Sequence, residues 1–193
     1  MALFFLVAMY PAHAQEPRQV IQHFQDVLLE TMKRATELGA AGRYKQLRPE
    51  VEKAFDLPRM IRLASGTAWA EAGADKQKAL IDAFTHMSTS TYASQFHGYS
   101  GESFIIADVH DGPRNTRLVE TKIVKSDGEK IPITYVLIAA ENGDWRIGDV
   151  LLDNSISELS VRRSEYAAIL RKDGVDALIK TLNEKAEGLM SAN

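Results

Sequence analysis

The sequence predicts an α+β fold, a curved antiparallel sheet of about four strands with helices packed around it. Three observations lead there. Apolar residues in roughly the first half recur with helical spacing. From Ser103 to Leu152 the period drops to two, broken by Asp-Gly and Asn-Gly pairs that signal hairpins. Two more helical stretches close the chain. One block of strands between two blocks of helices buries its apolar face by packing those helices on it.

The first helix spans Arg18 to Leu38, with Val20, Phe24, Val27, Leu28, Thr31 and Ala35 on one stripe, and Gly39 and Gly42 predicted to end it. A second short helix is predicted over Tyr44–Ala54, with Leu47 and Val51 inward and Pro49 early enough to be tolerated. Asp56 can cap a third helix that has Pro58 in its first turn and Met60, Ile61 and Ala64 on one face. A long helix follows from Asp75 to about Gln95, its apolar side carrying Leu80, Ile81, Phe84, Met87 and Tyr92, before Gly98 and Gly101 break the chain.

Four strands are predicted at Ser103–Ala107, Thr116–Val124, Lys130–Ala140 and Trp145–Leu152. Turns at Asp111-Gly112-Pro113, Asp127-Gly128 and Asn142-Gly143 make them a meander. Residues 131–140 are apolar on both faces apart from Thr134, which calls for cover on both sides. Strict alternation puts Trp145, Ile147 and Asp149 on one face of the last strand. A carboxylate on so apolar a strand needs a partner. The adjacent Arg162 and Arg163 lie just beyond the turn, and an Asp149–Arg163 ion pair would fix the strand–helix junction. The closing helices are predicted over Ser157–Leu170 and Val175–Leu189, the latter with Val175, Leu178, Ile179, Leu182 and Ala186 inward.

Composition narrows the function. The chain has 193 residues, 45% hydrophobic and 25% charged, with net charge −3 and no basic block, which argues against nucleic acid as a partner. Residues 1–14 read as a secretory signal: an apolar run from Ala2 to Met9, Pro11, then Ala12-His13-Ala14 as the cleavage box, although no Lys or Arg precedes the run. Residues 15–193 are then one domain. The absence of cysteine removes thiol nucleophiles and iron–sulfur clusters. None of the five histidines pairs with a second His or Cys at ligand spacing, so no metal and no cofactor is expected. No nucleophile elbow, P-loop or dinucleotide fingerprint occurs, and Gly98-Tyr99-Ser100-Gly101 sits between helix and strand where an elbow would need the reverse order.

Three ordered blocks resemble the MlaC family, also known as toluene-tolerance proteins. The first is Phe55-Asp56-Leu57-Pro58, continuing through Met60, Ala64 and Gly66 to Trp69. The second is Thr91-Tyr92-Ala93 with Tyr99 and Gly101. The third is Trp145, Ile147, Asp149 and Val150, leading through Ser157 to Arg163 and Tyr166. The wording S-E-L-x-x-R-R-S-E-Y is closest to the hopanoid-associated branch, HpnM. The family usually has Gly in its Ser-containing turn, where this chain has Ser155-Ile156-Ser157, and often Asn-Tyr before its Arg, where this chain has Val161-Arg162.

The resemblance implies an NTF2-like cone with an apolar cavity between sheet and helices. It implies a soluble, monomeric periplasmic carrier that binds a membrane lipid, phospholipid or hopanoid, with the tails inside. Such a carrier would be the substrate-binding component of an ABC-type lipid transport system, serving outer-membrane lipid asymmetry. Its partners would be an inner-membrane ABC/MCE-type complex and an outer-membrane lipoprotein complex. The residues expected to line the cavity are Phe84, Met87, Tyr92, Phe104, Ile106, Ile133, Tyr135, Leu137, Ile147 and Leu152. Two other readings stay open. An NTF2-like isomerase or hydrolase would have Asp149 with Tyr135 as its candidate pair. A pure interaction module would have a filled core and no ligand.

Overall fold

The computed structural model describes residues 15–192, so the signal segment expected at residues 1–14 lies outside the described residues. The helices are α1 (Pro17–Lys33), α2 (Ala35–Ala54), α3 (Leu57–Ser65), α4 (Thr67–Glu71) and α5 (Ala74–Gln95); the strands β1 (Ser103–Asp111), β2 (Arg117–Val124), β3 (Lys130–Ala139), β4 (Trp145–Leu152) and β5 (Ile156–Ser157) follow, then α6 (Glu158–Ser191). The sheet is a five-stranded antiparallel meander in the order β1-β2-β3-β4-β5. The fifth strand is the turn after Leu152, where Ile156 pairs back on Leu152 and Ser157 on Leu151. Two residues between turn signals are too short to register as a strand in sequence.

Helix ends follow local chemistry. Glu16 and Gln19 form a capping box at the start of α1, with Pro17 in the first turn. The predicted 18–38 helix is interrupted at Arg34, between α1 and α2, and Gly39 (φ 59°, ψ −179°) leaves helical geometry where a helix end was expected, dividing α2 into two helical segments. Asp56 caps α3 as expected, accepting from the Arg59 N–H at 3.2 Å. The two predicted closing helices are both present within α6, divided at Gly174 (φ 78°, ψ −172°), a conformation open essentially to glycine alone.

The helices pack on one face of the sheet. Val119, Tyr135, Leu137, Ile147 and Val150 point into that layer and are buried with Ile21, Phe24 and Leu28 of α1 and Leu80, Phe84 and Met87 of α5. Arg43 is buried too, its guanidinium donating to the carbonyls of Ala93 (2.8 Å) and Ala35 (3.3 Å), so it ties α2 to the end of α5. The Asp56 N–H donates to the Ile147 carbonyl at 2.9 Å and joins the α2–α3 corner to β4.

One irregularity decides where the site residues point. Leu137 pairs with Ile147 but Val136 pairs with Asp149, so Gly148 is an extra residue, a β-bulge. The bulge reverses the alternation. Ile147 and Val150 share the inner face, and Asp149 turns to the outer one. The strict period of two, which put Asp149 beside Ile147, is corrected by that single residue.

Candidate functional site

Between α3, α5 and the start of α6 lies an internal cavity of about 30 Å³. Val51, Phe55, Leu57, Met60, Phe84 and Tyr92 make an apolar floor; Ser88, Thr91, Gln95, Glu158 and Arg162 make a polar rim. The size admits a water or two. Small-molecule pockets run to about 300–1,000 Å³, so the cavity as it stands is too small to hold a lipid tail. A larger groove of about 240 Å³ lies elsewhere, where Val20, Ala54 and Trp145 stand among the charged groups of Glu50, Lys53, Asp144 and Arg146.

Aromatic rings connect the cavity to the sheet. Tyr92 sits 5.2 Å from Phe24 and 5.5 Å from Phe55, stacks on Phe96 at 5.9 Å, and Phe96 in turn lies 6.2 Å from Phe104 on β1. Burial, then the neighbouring Tyr135 and Glu158, push the Tyr92 phenol well above its ordinary value. Burial likewise pushes Tyr135 up to about 12, against an opposite pull from Gln25. Gln25 is itself buried, and its amide approaches that hydroxyl without closing a hydrogen bond.

At the rim the Arg162 guanidinium lies over the Phe84 ring, 5.6 Å from its centroid. One of its amino groups faces the Met87 sulfur at 3.3 Å and the other the Glu158 carboxylate at 3.5 Å. The Tyr166 hydroxyl lies beside it. A cation is thereby held against an apolar cavity by soft partners and one distant carboxylate.

Of the ten residues expected to line a cavity, Phe84 and Tyr92 do so, and Met87 sits behind Arg162. The seven from the sheet, Phe104, Ile106, Ile133, Tyr135, Leu137, Ile147 and Leu152, all share the inner face. They back the cavity without reaching it. Tyr135, Leu137 and Ile147 are core, Phe104, Ile106 and Ile133 are half-buried against it, and Leu152 is 39% exposed near the sheet's edge. Sequence reasoning passed over Phe55, Leu57, Met60 and Glu158 as cavity lining. The motif block from Phe55 to Trp69 was the signal that could have found the first three.

The expected Asp149–Arg163 ion pair is replaced by a helix cap. Asp149 Oδ1 accepts from the Val150 and Leu159 N–H groups at 2.8 and 3.0 Å, and Oδ2 accepts from the Ser157 hydroxyl at 2.5 Å. Arg163 is exposed a helix face away, beside Ala64, Ser65 and Glu71, because consecutive helical residues point about 100° apart. Asp149 and Tyr135, the candidate catalytic pair, occupy opposite faces of the sheet. Among the described residues no group of three His, Cys, Asp or Glu is placed to hold a metal, and no helix is long and apolar enough to cross a membrane.

Comparison with known proteins follows the same lines. The family profile described as MlaC protein matches residues 22–184. Among solved structures, the fold is similar to the phospholipid-binding protein from Ralstonia solanacearum, determined in complex with a phospholipid. The TM-score is 0.77 at 17% identity, over 91% of this chain and 99% of that one. No curated protein matches.

Proposed function

The chain belongs to the MlaC family, and from that premise we propose that it is a periplasmic lipid carrier. It takes the tails of a membrane phospholipid into the layer between helices and sheet and leaves the head group at the rim. The observation that carries the reading is the cavity itself, an apolar floor under a polar rim, in a fold shared with a protein crystallised with a phospholipid. Residues 1–14 act as the export signal. The lipid passes between an inner-membrane ABC-type complex and an outer-membrane complex, and the chain performs no chemistry on it.

The physical case rests on transfer free energy. Each methylene exposed to water costs about 0.8 kcal/mol, so a sixteen-carbon tail costs on the order of 12 kcal/mol to carry bare through an aqueous compartment. Loading widens the cavity by parting α3 and α5. Met60 and Met87, unbranched and soft, repack around a tail more readily than branched residues. Phe84 and Tyr92 make first contact with the tails, and Phe104, Ile106 and Ile133 are reached as the aromatic ladder opens.

Native mass spectrometry with organic extraction, on protein purified from its own host's periplasm, tests this. A phospholipid or hopanoid at near-stoichiometric amount is expected and names the ligand class. A protein that is bare and also takes no lipid from vesicles refutes the carrier reading.

A further inference from the structure

Arg162 and Glu158 stand one helical turn apart at the rim, with side chains only 17% and 31% exposed. Their separation of 3.5 Å is long for an ion pair, since charge-assisted bonds close to about 2.7–2.9 Å. Neither group is fully used. Arg162 spends an amino group on a thioether, a weak acceptor, and its flat face on Phe84, with the neutral Tyr166 hydroxyl beside it. Among the described residues Glu158 is its one carboxylate partner. A guanidinium presents a fork of donors that fits a phosphate with two parallel bonds. A carboxylate beside it favours a cation and repels a second anion.

We propose that Arg162 and Glu158 form a head-group filter at the cavity mouth, selecting a zwitterionic phosphoethanolamine lipid over an anionic phosphoglycerol lipid. The assignment rests on the lipid-binding reading above. With tails on the apolar floor, the phosphate meets Arg162. The ammonium, two carbons further out, meets Glu158. The two charges of the head group cross-pair with the two charges of the rim, and the site gains no net charge. A phosphoglycerol head satisfies Arg162 but leaves Glu158 facing an anion with nothing to offset it. A lipid without phosphate leaves Arg162 no better partnered than it is now.

The test is competitive loading. Delipidated full-length mature protein is incubated with vesicles of dioleoyl phosphatidylethanolamine, dioleoyl phosphatidylglycerol and dioleoylglycerol, and the bound lipids are extracted and counted by mass spectrometry. The wild type is expected to take the ethanolamine lipid over the glycerol lipid by tenfold or more after correction for vesicle composition. Glu158→Gln, a change at a partly exposed first-turn position, brings that ratio to within threefold of unity. Arg162→Lys keeps the charge but loses the fork and weakens both phospholipids relative to dioleoylglycerol. Arg162→Gln weakens them by tenfold or more. An unchanged ethanolamine-to-glycerol ratio in Glu158→Gln overturns the filter, as does a wild type that loads all three lipids in proportion to the vesicle. Failure to load any of the three removes the carrier reading itself, and the filter with it.

Discussion

Asp149 is where the motif, the bulge and the start of α6 meet, and its role can be measured. Replacing it with alanine removes the acceptor of the Leu159 N–H at 3.0 Å and of the Ser157 hydroxyl at 2.5 Å. The Ser157 hydroxyl itself accepts from the Ser160 N–H at 3.0 Å, so the cap loses its anchor as well as its charge. Loss of a helix cap costs about 0.5–2 kcal/mol. Hydrogen bonds to a charged group contribute about 1.5–3 kcal/mol, and the negative charge at a helix N-terminus about 0.3–1 more. These overlap, and the site is only half-buried, so water replaces part of what is removed. The net cost of Asp149→Ala is about 2–3 kcal/mol. Asparagine keeps an acceptor for Leu159 but turns an N–H₂ toward Ser157, and costs about 1 kcal/mol.

Urea unfolding measures this directly. The midpoint should fall with an unchanged slope, and the melting temperature of Asp149→Ala should drop by about 4–12 °C. Arg163→Ala should stay within about 0.5 kcal/mol of wild type, as an exposed side chain off the junction does. The reasoning is refuted if Asp149→Ala is that mild too. It is also refuted if Arg163→Ala matches it and a double-mutant cycle couples the two, since the ion pair would then be real.

Three more outcomes are expected. Gly174→Ala should cost about 1–3 kcal/mol because φ 78° with ψ −172° admits no Cβ comfortably; Gly188→Ala, in helix with open space around it, should stabilise by about 0.5–1 kcal/mol, and equal effects at the two positions would contradict this. The His110 midpoint, followed by NMR, should lie above 6.5, raised first by its hydrogen bond to Glu120, and Glu120→Gln should lower it. A raised His contributes stability that is fully present below 6.5 and fades as pH rises through its folded midpoint. Loading with phospholipid at one hundred times its dissociation constant should add about 2.7 kcal/mol, or roughly 5–11 °C in melting temperature, and no shift on demonstrated loading would mean the lipid sits elsewhere than the folded interior.

Much of the fold was legible in sequence because its signals are local. Asp56 with Pro58 announces a helix start, and Asp127-Gly128 and Asn142-Gly143 announce hairpins, through interactions a few residues long. What was hidden depends on partners far along the chain. Gly148 reads as an ordinary strand residue until Ile138 is seen within 3.1–3.4 Å of where its Cβ would stand. That contact cannot be inferred from β4 alone, yet the bulge decides which way Asp149 faces. The site shows the same division. Phe84 and Tyr92 were legible from helical periodicity, whereas Glu158 and Arg162 become rim residues only through the approach of α6 to α5, with Arg162 and Met87 separated by 75 residues.

A nearly filled interior and a lipid carrier are compatible, and the combination has a physical advantage. A rigid apolar cavity stays dry when empty, so a tail leaving it would forfeit its contacts with no compensation. Such a site holds its lipid tightly and releases it poorly. Here the rings of Phe24, Phe55, Tyr92, Phe96 and Phe104 already pack on one another when the cavity is only about 30 Å³. On the proposed carrier reading those contacts would be lost when a tail enters and regained when it leaves, so collapse of the core would work against the bound lipid. Tail transfer from a bilayer to the protein exchanges one apolar environment for another and is close to neutral. The balance is then set by two smaller quantities, the packing of the closed core and the fit of the head group at the rim. Changes that loosen the ladder without emptying the floor, such as Phe96→Leu, should therefore strengthen lipid retention, measured as slower transfer to acceptor vesicles. Faster transfer from that variant would show that the rings hold the lipid and do not compete with it.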